Sequence, residues 1–451
     1  MSLAAPTHHS STNGSPAIRR LVRWISRRCL GWFYREVRVL QAERIPATGS
    51  VLFIGNHPND LPDVLLGYRA TSRPLRYLAT VSAATGWLSR TTYEGLGVVP
   101  VARIRDARKL QAARVDVVAV NREATDAVSS GLAAGHMIGA FPEGGVRDRC
   151  SMDQFRSGVA SMVLKYLDAG AKNDVIVVPF GLQYEAPRRF GSDVIVLIGT
   201  PFSARRWRAT QTEEADRGAG GLTRAFYSAL TEITRNAPSW DVAEARDRLV
   251  AARAGAHPGG DPLGVAPSLV ACAQEEVVRG GDETVRRKTA ADQLAMAVEA
   301  AGGIDTSSMD HGRFRAALSD RPWPTANVRL IALFPLAALG WLVHGPLFRA
   351  VRALATRLAK ERVDVVALSY VPGLFVIVFG YLLVAVAGAV LFESLGWSRW
   401  WAIALFVLLP RLGDLAVHWR RDFSAWRLTR RTMALPPADK AALLNAYAVV
   451  S

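Results

Sequence analysis

Between residues 50 and 200, short apolar runs alternate with longer stretches in which apolar positions recur at helical spacing. The runs are VLFIG at 51–55, LRYLAT at 75–80, GVVPVA at 97–102, MIGAF at 137–141, VIVVPFG at 175–181 and VIVLIG at 194–199. Such Val/Ile-rich runs predict buried strands, and the stretches near 61–70, 105–134 and 156–170 predict helices between them. The alternation points to an α/β domain with a largely buried sheet. Upstream, residues 17–40 mix Leu21, Trp24, Ile25, Leu30, Trp32 and Phe33 with seven arginines (19, 20, 23, 27, 28, 35 and 38). That mixture predicts an amphipathic helix at a membrane surface, the alternative being a helix packed on the domain by its apolar side. Residues 1–16, rich in Ser, Thr, His and Pro, have the composition of a disordered tail.

Downstream the pattern changes twice. Residues 203–325 are polar and Ala/Arg/Glu-rich, broken by GAHPGGDPLG at 255–264, and predict a helical extension with a flexible connection and no chemistry of its own. Residues 326–431 form a membrane region. Val365–Phe392 is uncharged and exceeds the roughly 20 residues that cross a bilayer. Leu330–Phe348 is also uncharged but contains Pro335, His344 and Pro346, and the run Trp400–Pro410 is shorter still before Arg411 and Asp414. Arg349, Arg352, Arg357, Lys360 and Arg362 lie before the long span, and Arg420, Arg421, Arg427, Arg430 and Arg431 follow the last one. Both basic groups are expected on the cytoplasmic side, which requires an even number of crossings between them. The expected arrangement is a hairpin of 365–392 and about 399–418, with 330–348 re-entrant or interfacial and 432–451 a cytoplasmic tail. Three full crossings would leave the 349–364 arginines outside.

Composition sharpens the choice of partner. Lys and Arg number 55 against 39 Asp and Glu, a net charge of +16. The basic residues sit beside aromatics and apolar segments, which favours anionic membrane lipids, and nothing resembles a nucleic-acid-binding module. Cys29, Cys150 and Cys272 are far apart and odd in number, as expected of reduced thiols facing a cytoplasm. Arg27 and Arg28 interrupt the only candidate for a signal-peptide apolar core. There is no metal-ligand spacing, no Gly-rich nucleotide loop and no G-x-S-x-G; His136, before a strand, reads as structural.

The sharpest local feature is Asn56-His57-Pro58-Asn59-Asp60-Leu61-Pro62-Asp63, directly after a strand-like run. A histidine leaving a strand into a proline turn can be aimed and kept basic by a carboxylate nearby. A capping or surface His–Asp pair is the simpler reading of that octapeptide alone.

Four blocks in order decide the matter. GNHPNDLPD at 55–63, GVVPVAR at 97–103, FPEG at 141–144 with QFRSGVA at 154–160, and VVPFGLQY at 177–184 resemble those of the glycerolipid acyltransferase superfamily. The resemblance covers about residues 45–202. It implies an α/β acyltransferase domain over 41–202, with a central mixed sheet flanked by helices, followed by C-terminal transmembrane helices. It makes His57 the base that deprotonates the acceptor hydroxyl and Asp63 its orienting partner. Five residues separate the two where the commonest form of the box has four; Pro58 and Pro62 preclude a regular helix through the gap, and Asp60 is the backup partner. The resemblance gives Arg103 the acceptor's phosphate and places Glu143 and Gly144 around the acceptor and acyl donor, with Glu143 on a hydroxyl or fixing Arg103. Gly145, Val146 and Arg147 replace the family's commoner Ser/Thr pair, so Arg147 and Arg156 stand as extra phosphate or coenzyme contacts. Pro179 and Gly181 read as shaping a strand end.

What the resemblance implies is a membrane-bound O-acyltransferase that uses acyl-CoA or acyl carrier protein, needs no other cofactor or metal, and takes a phosphorylated glycerol-type acceptor. The HPN box and the C-terminal membrane region are more similar to the branch acylating glycerol 3-phosphate or dihydroxyacetone phosphate. Lysophosphatidate as acceptor, and a non-catalytic membrane lipid-binding protein, are the alternatives. The expected location is a bacterial inner membrane with the catalytic domain cytoplasmic.

Overall fold

The computed structural model describes residues 15–81, 93–103, 106–112, 115–147, 149–185, 192–256, 267–304, 307–319, 327–359 and 364–451. Most of the expected tail, nearly all of the Gly/Pro connection, and Lys360 and Arg362 therefore lie outside the described residues. The chain divides into two compact units, one ending at Asn236 and one beginning at Ala237.

In the first unit the elements run α1 (Pro16–Phe33), β1 (Glu36–Leu40), β2 (Ser50–Gly55), α2 (Leu61–Ala70), β3 (Leu75–Thr80), β4 (Val99–Val101), α3 (Ala107–Ala112), α4 (Val117–Ala133), β5 (Met137–Ala140), α5 (Gly158–Asp168), β6 (Val175–Tyr184), β7 (Asp193–Ile198), β8 (Phe202–Ser203), α6 (Ala204–Thr210), α7 (Glu214–Arg217) and α8 (Ala219–Thr231). The strands form one mixed sheet in the order β1-β7-β6-β2-β5-β3-β4, with β8 beside β6. β6 is antiparallel to β7 and β8, and the other pairs are parallel. All six residues of β2, SVLFIG, are buried, as a strand covered on both faces requires. Its last residue must be small: a Cβ on Gly55 would lie 2.2 Å from the Phe180 ring. β2, β5, β3 and β4 all end on the same edge; the first and third blocks described above lie in the segments that leave β2 and β5 there, while the second overlaps β4 and the fourth lies within β6.

Three boundaries differ from the sequence expectation. The N-terminal helix does not run to residue 40. It ends at Phe33, and Val37 and Val39 belong to a strand paired with β7. Five residues of period-two alternation were hidden behind a strong helical pattern. The helical stretch 105–134 is two helices, because Asp116 caps α4 by accepting from the Val118 and Ala119 amides. The first unit continues past residue 202 to Asn236: α8 buries Leu222, Phe226 and Leu230, and the Ile233 carbonyl accepts from Gln183 of β6.

The second unit comprises α9 (Trp240–Ala256), α10 (Pro267–Arg279), α11 (Asp282–Ala300), α12 (Ser308–Leu318), α13 (Asn327–Leu358), α14 (Asp364–Ser394), α15 (Trp401–Met433) and α16 (Pro437–Val450). The C-terminal segment is not a free tail. Leu443, Ala446, Tyr447 and Val450, spaced as one helical stripe, join Leu249, Leu294, Phe314 and Leu428 in a single core. Among the described residues, three helices are long and apolar enough to cross a membrane, over Val328–Leu358, Phe375–Ser394 and Trp401–Met433. Leu330–Phe348 is part of one uninterrupted helix that passes through Pro335 and Pro346, so a re-entrant turn is set aside.

Candidate active site

β2 delivers its next two residues to the sheet's carboxyl edge, where open α/β sheets bind ligands. Asn56 is clamped across the strand end: its Nδ2 donates to the Leu182 carbonyl at 3.2 Å and its Oδ1 accepts from the Leu182 amide at 2.7 Å. His57 is then fixed from three directions. Its backbone N–H donates to Glu143 Oε1 at 2.7 Å, its ring stacks on Phe141 with centroids 4.1 Å apart, and its Nδ1 lies 2.8 Å from Asp63 Oδ2. Phe141 in turn stacks on Tyr77.

Asp63, in the first turn of α2, is fully buried. Its Oδ2 also accepts from the Asn59 amide at 2.7 Å, and its Oδ1 accepts from the Tyr184 hydroxyl. Asn59 Nδ2 donates to the Tyr34 hydroxyl at 3.0 Å, joining the start of β1 to the same turn. The carboxylate acts as acceptor in each contact, which puts the imidazole proton on Nδ1 and the lone pair on Nε2. Nε2 makes no hydrogen bond among the described residues, and the His57 side chain keeps 12% of its exposure. The arrangement can accept a proton at Nε2 and hold the resulting imidazolium against a buried carboxylate.

The five-residue gap is taken up at Asp60. This residue has φ 55°, a left-handed conformation rare outside glycine, and its carbonyl accepts from the Asp63 amide at 3.0 Å. The kink brings Asp63 rather than Asp60 onto the ring.

The loop after β5 places the other expected residues. Glu143 is not on Arg103. Its Oε1 takes the His57 amide and its Oε2 the Asp153 amide at 2.8 Å, so backbone donors meet both oxygens of this half-buried carboxylate. Burial pushes its carboxyl pKa above the ordinary value, and the two amide bonds partly offset that. Arg103 puts both Nε and Nη2 on Asp106 Oδ2, each at 2.7 Å, and its Nη1 reaches the Gly144 carbonyl at 3.3 Å. Gly144 has φ 70°, which explains a glycine there. Arg147 pairs with Asp153 at 3.1 Å. Arg156 anchors its backbone N–H on the Pro142 carbonyl, and its guanidinium has no partner among the described residues.

Residues 36–183 match the family model for Acyltransferase. That segment is an acyltransferase-family domain. The acyltransferase domain also resembles stretches of longer eukaryotic proteins. An uncharacterized acyltransferase of Schizosaccharomyces pombe is 32% identical over 24% of this chain and 17% of that protein. Glycerol-3-phosphate O-acyltransferase 2 of Saccharomyces cerevisiae is 32% identical over 27% of this chain and 16% of its own. Glycerol-3-phosphate O-acyltransferase 1 of the same yeast is 40% identical over 16% and 9%. The chain thus spans less than a fifth of the length of these relatives. Among solved structures, the 1-acyl-sn-glycerophosphate (LPA) acyltransferase of Thermotoga maritima aligns over 47% of this chain and 76% of that one, at 16% identity and a TM-score of 0.33.

Tyr34, Tyr184, Asn59 and Phe141 were not legible as site residues. Tyr184 closes the fourth block and Phe141 opens the third, but no spacing rule ties a residue 121 positions away to Asp63.

Proposed function

We propose that this chain transfers a fatty acyl group from an acyl thioester to the hydroxyl of glycerol 3-phosphate or dihydroxyacetone phosphate, at a membrane, in phospholipid synthesis. The observation that carries the reading is His57, with Nδ1 against buried Asp63 and Nε2 open, inside a domain of the acyltransferase family. Nε2 takes the proton from the acceptor hydroxyl as its oxygen attacks the thioester carbonyl. The C–O bond forms, the C–S bond breaks as the tetrahedral intermediate collapses, and the imidazolium passes the same proton to the departing thiolate. Asp63 stabilises the imidazolium meanwhile.

The acceptor's phosphate would meet Arg156, whose guanidinium is uncommitted, with Arg103 held in place by Asp106. Guanidinium groups suit phosphate because they stay charged and donate in pairs. The names of the two yeast relatives support glycerol 3-phosphate as acceptor. Acyl-CoA or acyl carrier protein is the donor in this reading. Anionic lipids would be met by the exposed face of α1, where Trp24 is 59% exposed beside Arg20 and Arg27. The three apolar helices would hold the protein in the bilayer, with the arginine groups on the cytoplasmic side.

Purified protein in nanodiscs, given labelled palmitoyl-CoA and separately glycerol 3-phosphate, dihydroxyacetone phosphate or lysophosphatidate, tests the reading. Product with either of the first two is expected. Product with lysophosphatidate alone would move the protein to the other branch, and vesicle binding without any product would make it a lipid-binding protein.

A further inference from the structure

We infer that α13, although long and apolar enough to span a bilayer, does not cross it, and that the number of crossings among α13, α14 and α15 is even. The inference rests on the membrane reading proposed above, and two independent observations carry it.

The first is that the segments flanking the apolar helices fold together. Phe314 and Leu318 precede α13, Leu428 lies near the end of α15, and Leu443, Tyr447 and Val450 follow it; all are buried in one core with Leu249 and Leu294. Arg431 Nη1 donates to the Ala300 carbonyl at 3.3 Å, and the Tyr447 hydroxyl donates to the His311 carbonyl at 3.1 Å. A single packed core cannot lie on both sides of a membrane. The chain must leave and return on the same side, which three crossings do not allow.

The second is where α13 touches the other two helices. α14 and α15 are joined by the short turn 395–400, so distance from that turn can be counted along either helix at about 1.5 Å per residue. Near its start, α13 meets α15 through the Leu330 carbonyl, which accepts from Trp419 Nε1 at 2.8 Å; Trp419 lies about 27 Å from the turn. In its middle, His344 Nε2 lies 2.7 Å from the Tyr381 hydroxyl and packs where Gly413 leaves room, both about 18 to 20 Å from the turn. Farther on, Val351 packs against Gly373, about 32 Å from the turn. Along α13 the distance from the turn thus falls and then rises again. Both ends of α13 lie at the base of the α14–α15 pair, as for a helix laid across it. A helix that crossed beside them would run from base to turn.

This placement accounts for the residues α13 presents. Its first half exposes Ile331, Phe334, Leu336, Leu339 and Leu342, an apolar surface for acyl chains. Arg349, Arg352 and Arg357 in its second half lie at the base, where phosphate headgroups and water are. The occupant of this surface is the headgroup–acyl boundary of the leaflet on the side of the packed core.

The test is accessibility of single cysteines in the full chain, with Cys29, Cys150 and Cys272 replaced by serine and acyl transfer retained as the check on folding. Ser319→Cys, Thr356→Cys, Ser398→Cys and Ser451→Cys report the start of α13, its end, the hairpin turn and the C-terminus; all four positions are exposed. A membrane-impermeant maleimide is applied to sealed vesicles of defined orientation. Ser319→Cys, Thr356→Cys and Ser451→Cys should label from one side together, and Ser398→Cys only from the other. Labelling of Thr356→Cys from the side opposite Ser319→Cys would overturn the inference. Labelling of all four from one side would keep α13 uncrossed and the count even at zero, and would instead withdraw the crossing of the α14–α15 hairpin.

Discussion

Replacing Asp63 by asparagine isolates the charge at the site from its geometry. The amide can take the carboxylate's place with its oxygen at the Oδ2 position, still accepting from His57 Nδ1 and the Asn59 amide, which now lie 2.8 and 2.7 Å away. Its NH2 would then point at the Tyr184 oxygen, which can turn from donor to acceptor. The tautomer and the fold are kept, and the negative charge opposite the developing imidazolium is lost. Two unit charges about 4 Å apart attract by about 4 kcal/mol at an effective dielectric constant of about 20. A neutral hydrogen bond returns about 1 kcal/mol of that. A net loss of about 3 kcal/mol in the transition state corresponds to a roughly hundred-fold fall in rate. Single-turnover acyl transfer from labelled palmitoyl-CoA, with circular dichroism and thermal unfolding as controls, measures it. A folded Asp63→Asn protein with more than a third of wild-type rate would refute the role given to the carboxylate.

Further substitutions probe the surrounding residues. Tyr184→Phe keeps the ring and removes one donor to Asp63; about 1 to 2 kcal/mol is at stake, so kcat should fall about tenfold with KM for both substrates unchanged. An unchanged kcat would show that the contact is packing only. Arg156→Ala should raise KM for the phosphorylated acceptor about tenfold and leave KM for palmitoyl-CoA alone; the reverse pattern would assign it to the coenzyme. Glu143 carries a pH signature. Because burial raises its carboxyl pKa from 4.5, its contribution to stability is fully present below that value and is lost as pH rises through the raised one. Glu143→Gln cannot titrate, so the unfolding temperature of wild type minus variant should decline as pH is raised from about 4 to about 7. A constant difference would contradict a half-buried carboxyl whose ionised form desolvation disfavours.

The parts of this molecule visible in sequence are those encoded by local periodicity. LRYLAT at 75–80 coincides with β3, and the run at 194–199 is within one residue of β7. Strand β1 was not visible, because EVRVL follows eighteen helical residues and earns its place only through pairing with β7, more than 150 residues away. The C-terminal helix α16 looked like a tail for the same reason: its apolar stripe needs Leu249 and Phe314 to bury it. At the site, the His57 box could be read as a unit and a looped-out residue was expected, but Pro62 sits in the first turn of α2, where proline is tolerated, and does not exclude helix there. That Asp60 supplies the kink, through a left-handed backbone, goes with the hydrogen bond of Asp63 to His57 Nδ1, which local periodicity does not encode. Of the two roles expected for Glu143, a substrate hydroxyl or fixing Arg103, the second gives way because the fold brings the His57 and Asp153 backbone amides onto its carboxylate. The tyrosines were invisible because each reaches the turn from another strand end.

The most direct test of the central claim is acyl transfer by His57→Ala beside wild type, in nanodiscs, with palmitoyl-CoA and glycerol 3-phosphate. The account expects labelled lysophosphatidate from wild type and a loss of at least a hundred-fold in the variant, with its unfolding temperature little changed. Equal product from the variant, or none from wild type with any acceptor and either acyl carrier, would contradict it.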